Sequence, residues 1–132
     1  MLEENVELVR QSADALVRRD RTAWLAVCDE DLEVVPIREW PEPGVRGAKA
    51  AWDFYLKIFD AFDQFPVDNV EIVGAVADKV LLHYRLDLSG KGSGAGVEFD
   101  YWLVTTVRQG KLLRGEWFAD YHVALEAAGL SE

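Results

Sequence analysis

At 132 residues the chain is long enough for one hydrophobic core and short of the size at which chains divide, so a single domain over 1–132 is expected. Half of it is apolar, with five Trp, four Tyr and six Phe, a composition that excludes a disordered chain. Fourteen basic against 24 acidic residues give a net charge of −10, which argues against nucleic acid and anionic membrane surfaces as partners because both select clustered Lys and Arg.

In chain order, Leu2, Val6, Val9, Ala13 and Leu16 recur at steps of four and three, predicting an amphipathic helix that ends near Arg19. Asp20 is placed to cap a second, short helix from Arg21 to Cys28, with Trp24, Leu25 and Cys28 on one side. Beyond the acidic Asp29-Glu30-Asp31, the β-branched run Leu32 to Ile37 predicts a strand that Pro36 would confine to a sheet edge. A loop through Trp40-Pro41-Glu42-Pro43-Gly44 leads past Gly47 into a third helix, in which Ala48, Ala51, Trp52, Tyr55, Phe59 and Phe62 keep helical spacing up to a stop at Pro66.

The period then changes to two. Strands are predicted at Val67–Val76, Lys79–Leu88, Val97–Gln109 and Lys111–Tyr121, with turns at Ala77-Asp78 and Gln109-Gly110, in the order of an antiparallel meander. The glycine-rich 90–96 lacks the strand-then-helix setting of a phosphate loop and is expected to be a hairpin end. Asp120 is a cap for a last helix, Val123–Ala128, which Gly129 ends. The expected fold class is α+β: a cone-shaped, curved antiparallel sheet packed on three helices, with a short C-terminal helix.

The lone Cys28 rules out an internal disulfide and cysteine-based zinc, and His83 and His122 have no metal-ligand spacing, so neither a metal nor an organic cofactor is expected. Cys28 itself falls on an apolar helix face and is expected to be buried and inert. Glu3 and Glu4 stand where a secretory signal carries Lys or Arg, and charges interrupt every apolar run, so a soluble, cytoplasmic protein is expected.

On the strand Lys79–Leu88, alternation separates Val80, Leu82, Tyr84, Leu86 and Leu88 from His83, Arg85 and Asp87. Arg85 two residues from Asp87 can hold that carboxylate as a general acid or base, and His83 on the same face can move a proton near neutrality. The same alternation also suits a solvated outer face carrying a surface ion pair, or a dimer contact.

Over nearly its whole length the chain resembles the SnoaL-like branch of the nuclear transport factor 2 superfamily, which includes polyketide cyclases, ketosteroid isomerases and limonene epoxide hydrolases. The resemblance rests on the opening Glu3-Glu4-Asn5-Val6-Glu7-Leu8-Val9-Arg10, the Trp40–Gly47 loop, the Gly110-Lys111 hairpin and the ending from Asp120 to Leu130. It implies a mostly apolar cavity inside the cone and a homodimer formed through the outer sheet face. Arg85-Leu86-Asp87 looks like the Arg-x-Asp of limonene epoxide hydrolases, whereas Val34, Pro36 and Trp117 stand where those enzymes hold the attacking water with Tyr, Asn and Asp. Asp120 resembles the acid before the terminal helix of SnoaL-like cyclases, although an Asp there also caps the helix. A ketosteroid isomerase mechanism has counterparts in Tyr101 and Asp87 but lacks its third member.

The same alignment turns Phe99, Tyr101 and Leu103 inward opposite Gly115 and Trp117, and with Trp24 and Trp52 these aromatics are the candidate ligand contacts. Such residues also serve as plain core packing. The functional expectation is therefore a small-molecule-cavity protein: a cofactor-free isomerase, cyclase or lyase on an apolar, polyketide- or terpenoid-like carbonyl compound, with Arg85, Asp87, His83 and Asp120 as candidate catalytic residues. The alternative is a noncatalytic ligand-binding or dimerisation module.

Overall fold

The apolar stripe of the N-terminal segment forms α1 (Leu2–Val17), with Val9, Ser12, Ala15 and Leu16 buried, and Asp20 caps α2 (Arg21–Val27) by accepting from the Ala23 N–H at 3.1 Å. The computed structural model of the chain describes residues 2–61, 70–87 and 98–130, excluding the side chains at 59–61, 86, 87 and 98. The remaining elements are β1 (Cys28–Val35), β2 (Val45–Arg46), α3 (Ala48–Ala61), β3 (Val70–Val76), β4 (Lys79–Asp87), β5 (Glu98–Arg108), β6 (Lys111–Phe118) and α4 (Tyr121–Ala128). Phe62, Pro66, Leu88 and the glycine-rich 90–96 lie outside the described residues. No described helix is long and apolar enough to cross a membrane.

The six strands make one curved, open sheet in the order β2-β1-β6-β5-β4-β3. β3 to β6 form the antiparallel meander that the turn chemistry predicts. Two features of β1 differ from the sequence expectation. It pairs parallel with β6, Val34 opposite Gly115, so the sheet is mixed; β2, the α3 helix and strands β3 to β5 lie between the two and supply the long connection that a parallel pair needs. It is also an interior strand, running Cys28–Val35 between β2 and β6, because it stops one residue before Pro36 and never needs the missing amide hydrogen.

Both glycine signals at helix ends have a backbone reason. Gly47, at φ +105, donates its N–H to the Leu32 carbonyl at 2.7 Å and accepts from Ala51 at 2.9 Å, thereby seating α3 against β1. Gly129, at φ +78, ends α4 in the left-handed conformation, and the following Leu130 N–H closes onto the Leu125 carbonyl at 2.9 Å.

Two apolar clusters hold the sheet, one on each face. The larger lies between the concave face and α1–α3, with Val9, Leu16, Trp24, Trp52, Tyr55, Val80, Leu82 and Tyr84 among its members. The smaller joins Leu81 and Val104 to Ala124 and Ala128 of α4 on the opposite face. Strand β4 is therefore buried on both sides at Val80, Leu81 and Leu82, each at most 1% exposed. A buried side chain of this size contributes about 1.5–3 kcal/mol.

Candidate functional site

An aromatic string crosses the concave side of the sheet. Trp52 and Tyr55 of α3 flank Trp24 of α2 at ring distances of 5.5 and 6.0 Å; Tyr55 continues to Trp117 of β6 at 6.2 Å, and Trp117 to Tyr84 of β4 at 5.0 Å. Near Trp117 the packing leaves a recess. Ser12, Leu16, Trp24 and Tyr55 wall it on the helix side; Tyr84, Thr105, Gly115 and Trp117 wall it on the sheet side. Its cavity volume is about 30 Å³, and the recess opens to solvent. That volume has room for a water molecule or for one functional group of a larger molecule.

Gly115 makes this room. A Cβ there would stand 3.4 Å from Leu103 Cδ1 and 3.8 Å from the Tyr55 hydroxyl, so the absence of a side chain leaves the sheet wall set back at that point. The Trp117 indole N–H donates to the Tyr55 hydroxyl oxygen at 3.0 Å, which fixes both rings. Burial pushes both the Tyr55 and Tyr84 phenols well above the ordinary tyrosine range. They are therefore protonated donors at neutral pH.

The predicted aromatic contacts divide accordingly. Trp24 and Trp117 line the recess, while Trp52 is buried behind Trp24. Tyr101 shares the inward face of β5 with Leu103, farther along the strand, and stacks with Phe99, which is 40% exposed. Burial, and secondarily the charge of Glu39, push the Tyr101 phenol upward. Tyr55 and Tyr84 were legible only as apolar-face residues; the available signal was a hydroxyl on an otherwise apolar stripe, which needs a partner when buried.

The polar candidates lie elsewhere. Val80, Leu82 and Tyr84 face the helices, so His83 and Arg85 stand on the opposite, outer face of β4, on the same side as Leu81 and α4. His83 is clasped by the carboxylates of two neighbouring strands, with Nδ1 3.1 Å from Glu71 Oε1 and Nε2 2.8 Å from Asp100 Oδ1, and its ring stacks on Trp102 at 5.2 Å. The Arg85 side chain, 52% exposed, reaches the same Asp100 at 3.5 Å. Asp87 ends β4 opposite Glu98; its side chain lies outside the described residues. Asp120 caps α4, accepting from the Val123 N–H at 3.1 Å. The structure thus gathers His83 and Arg85 around Asp100 on the face away from the recess, and engages Asp120 as the cap of α4.

Cys28 closes α2 and opens β1 with its thiol buried. Burial pushes that thiol from 9.0 up to about 12, against a weaker downward pull from Lys111. With the two buried phenols it makes the fold sensitive to alkali: the folded chain resists ionisations that the unfolded chain undergoes from about pH 9 for the thiol and about pH 10 for the phenols. The stabilisation is complete below those pH values and is lost as pH rises toward the folded-state values, by about 1.4 kcal/mol per pH unit for each group. Urea unfolding midpoints should therefore fall between pH 8.5 and 10.5, and a constant midpoint would contradict the burial of these groups.

An open, curved α+β sheet wrapped around helices, with a recess on its concave side, defines the cone-shaped, nuclear transport factor 2-like class. Within it, the model of the SnoaL-like domain matches residues 9–115, and the chain belongs to that family. Among solved structures, an NTF2-like protein from Burkholderia xenovorans LB400 is 26% identical over 97% of each chain, with a TM-score of 0.69. A protein named as a SnoaL-like polyketide cyclase, from Jannaschia sp. CCS1, is 20% identical over 100% of this chain and 95% of its own, with a TM-score of 0.72. TerC, crystallised with polyporic acid, is 18% identical over 95% of this chain and 97% of its own, with a TM-score of 0.66. No curated protein sequence matches the chain.

Proposed function

We propose that this protein binds a small apolar molecule in the recess between Trp24, Tyr55, Tyr84 and Trp117. The observation that carries this reading is the recess itself: aromatic side chains from two helices and two strands line a space that opens to solvent, bounded by a glycine in the middle of a strand. Binding is favoured over turnover because the described lining includes no Asp, Glu or His, and a general base must titrate near the working pH. The co-crystallisation of TerC with polyporic acid is a precedent for pairing this fold with a small molecule.

The indole N–H resonances of Trp24 and Trp117 should shift saturably as acetophenone is added. In Gly115→Ala the new methyl fits at ordinary contact distances, so the fold is retained while acetophenone affinity drops about tenfold. Shifts scattered over the surface, or indifferent to that substitution, would sink the proposal.

A second reading, acid–base isomerisation or cyclisation of an apolar carbonyl compound, is favoured by Tyr101, a phenol on the inward face of β5 that burial and, secondarily, the charge of Glu39 push upward. That reading requires the protein to exchange the α-hydrogens of acetophenone with deuterated water, and Glu39→Gln to stop the exchange.

A further inference from the structure

We propose that the Tyr55 hydroxyl is the hydrogen-bond donor for an oxygen of the bound molecule, and that Trp117 is the positioning residue that aims it, so that the recess selects conjugated or aryl carbonyl compounds. The proposal rests on the reading that the recess takes a ligand.

A tyrosine hydroxyl has one hydrogen to give and room to accept, whereas an indole N–H can only give. At 3.0 Å the Trp117 N–H must therefore donate to the Tyr55 oxygen, which turns the phenol's own hydrogen away from Trp117. Among the described residues nothing accepts that hydrogen, although Tyr55 is only 7% exposed. Buried polar groups are normally paired, so a donor left over beside an open recess marks where an acceptor from outside belongs.

The surroundings fit that acceptor. The position a Cβ would take at Gly115 is 3.8 Å from the hydroxyl, so the space beside the donor is kept clear. The recess, about 30 Å³ and open to solvent, accommodates a single group such as a carbonyl, with the rest of the ligand toward its mouth. Trp24, Trp117 and Tyr84 line it with aromatic rings suited to a conjugated body. Accepting from the indole polarises the phenol and strengthens the bond it donates.

Acetophenone and α-methylstyrene have nearly the same shape and differ in a carbonyl oxygen against a methylene. The wild-type protein should bind acetophenone about fivefold more tightly, the worth of one neutral hydrogen bond, and should move its infrared carbonyl band to lower frequency. Tyr55→Phe should abolish the preference and return the band to its position in an apolar solvent while α-methylstyrene still binds. Trp117→Phe keeps the phenol but releases its aim, and should give a smaller band displacement than wild type. If Tyr55→Phe leaves both preference and band unchanged, the donor assignment is overturned and the apolar site stands. If Trp117→Phe leaves the band unchanged, the positioning role is overturned. If neither probe binds the wild-type protein saturably, site and donor fall together.

Discussion

Leu82→Ala is expected to lower the unfolding free energy by about 3–4 kcal/mol, and Leu81→Ala by about 2–4 kcal/mol, both within the range for leucines truncated in a close-packed core. The two residues are neighbours on β4 and point to opposite faces. In a sheet with one solvated face, one of the pair would be nearly silent, within about 0.5 kcal/mol. Here Leu82 packs with Trp24, Tyr55 and Tyr84, while Leu81 packs with Val104, Ala124 and Ala128. Each truncation leaves a void that its surroundings cannot fill without moving a helix. Urea titrations of the two variants decide the matter: a Leu81→Ala midpoint equal to wild type would mean that α4 does not bury the outer face. A further readout separates the two. Leu81→Ala should increase amide exchange in 121–128 before the rest of the chain loosens, because α4 depends on the smaller cluster.

Gly44→Ala should be nearly as damaging, at about 2–3 kcal/mol, although it adds only a methyl group. A Cβ at Gly44 would collide with the Val34 carbonyl oxygen and touch Pro36 Cδ at 3.4 Å. The obstacle is backbone on a strand held from both sides, by Val45 of β2 and Gly115 of β6. The loop from Pro36 to Gly44 must then lift off β1, taking with it Trp40, which packs edge-on against Phe54 at 6.3 Å. A fall in melting temperature, with α3 losing protection from exchange, is the expected signature; Gly110→Ala is a contrasting substitution, since nothing stands within 4 Å of its Cβ position and only the φ of +73 resists it. Equal costs for the two would show that local backbone strain, rather than the collision, governs Gly44.

Much of this architecture was legible because it is written in short-range chemistry. The stripe of α1, the caps at Asp20 and Asp120, the stop at Gly129 and the turns at 77–78 and 109–110 all follow from residues within a few positions of one another. The parallel pairing of β1 with β6 was not legible, because it joins Val34 to Gly115 and no local signal spans that distance. The candidate site was legible in part. Period-two alternation on β4 separated His83 and Arg85 from Tyr84 correctly, but alternation alone carries no sign: it says that two faces differ, not which one meets the helices. The unbroken run Val80-Leu81-Leu82 was a clue that both faces are covered, and hence that the polar residues beyond it stand outside the larger core. Asp120 fits a simpler rule, since a carboxylate just before a helix is occupied by the helix's own amides.

The parallel seam between the first and sixth strands sets a timetable for making the protein. Everything before Lys111 can leave the ribosome while the inner margin of β1 still waits for its mate, so a nascent chain carries an unsealed strand flanked by greasy helices until β6 is made. Docking of β6 is the clasp that joins the first strand to the meander, and the contacts it makes are among the most distant in the chain.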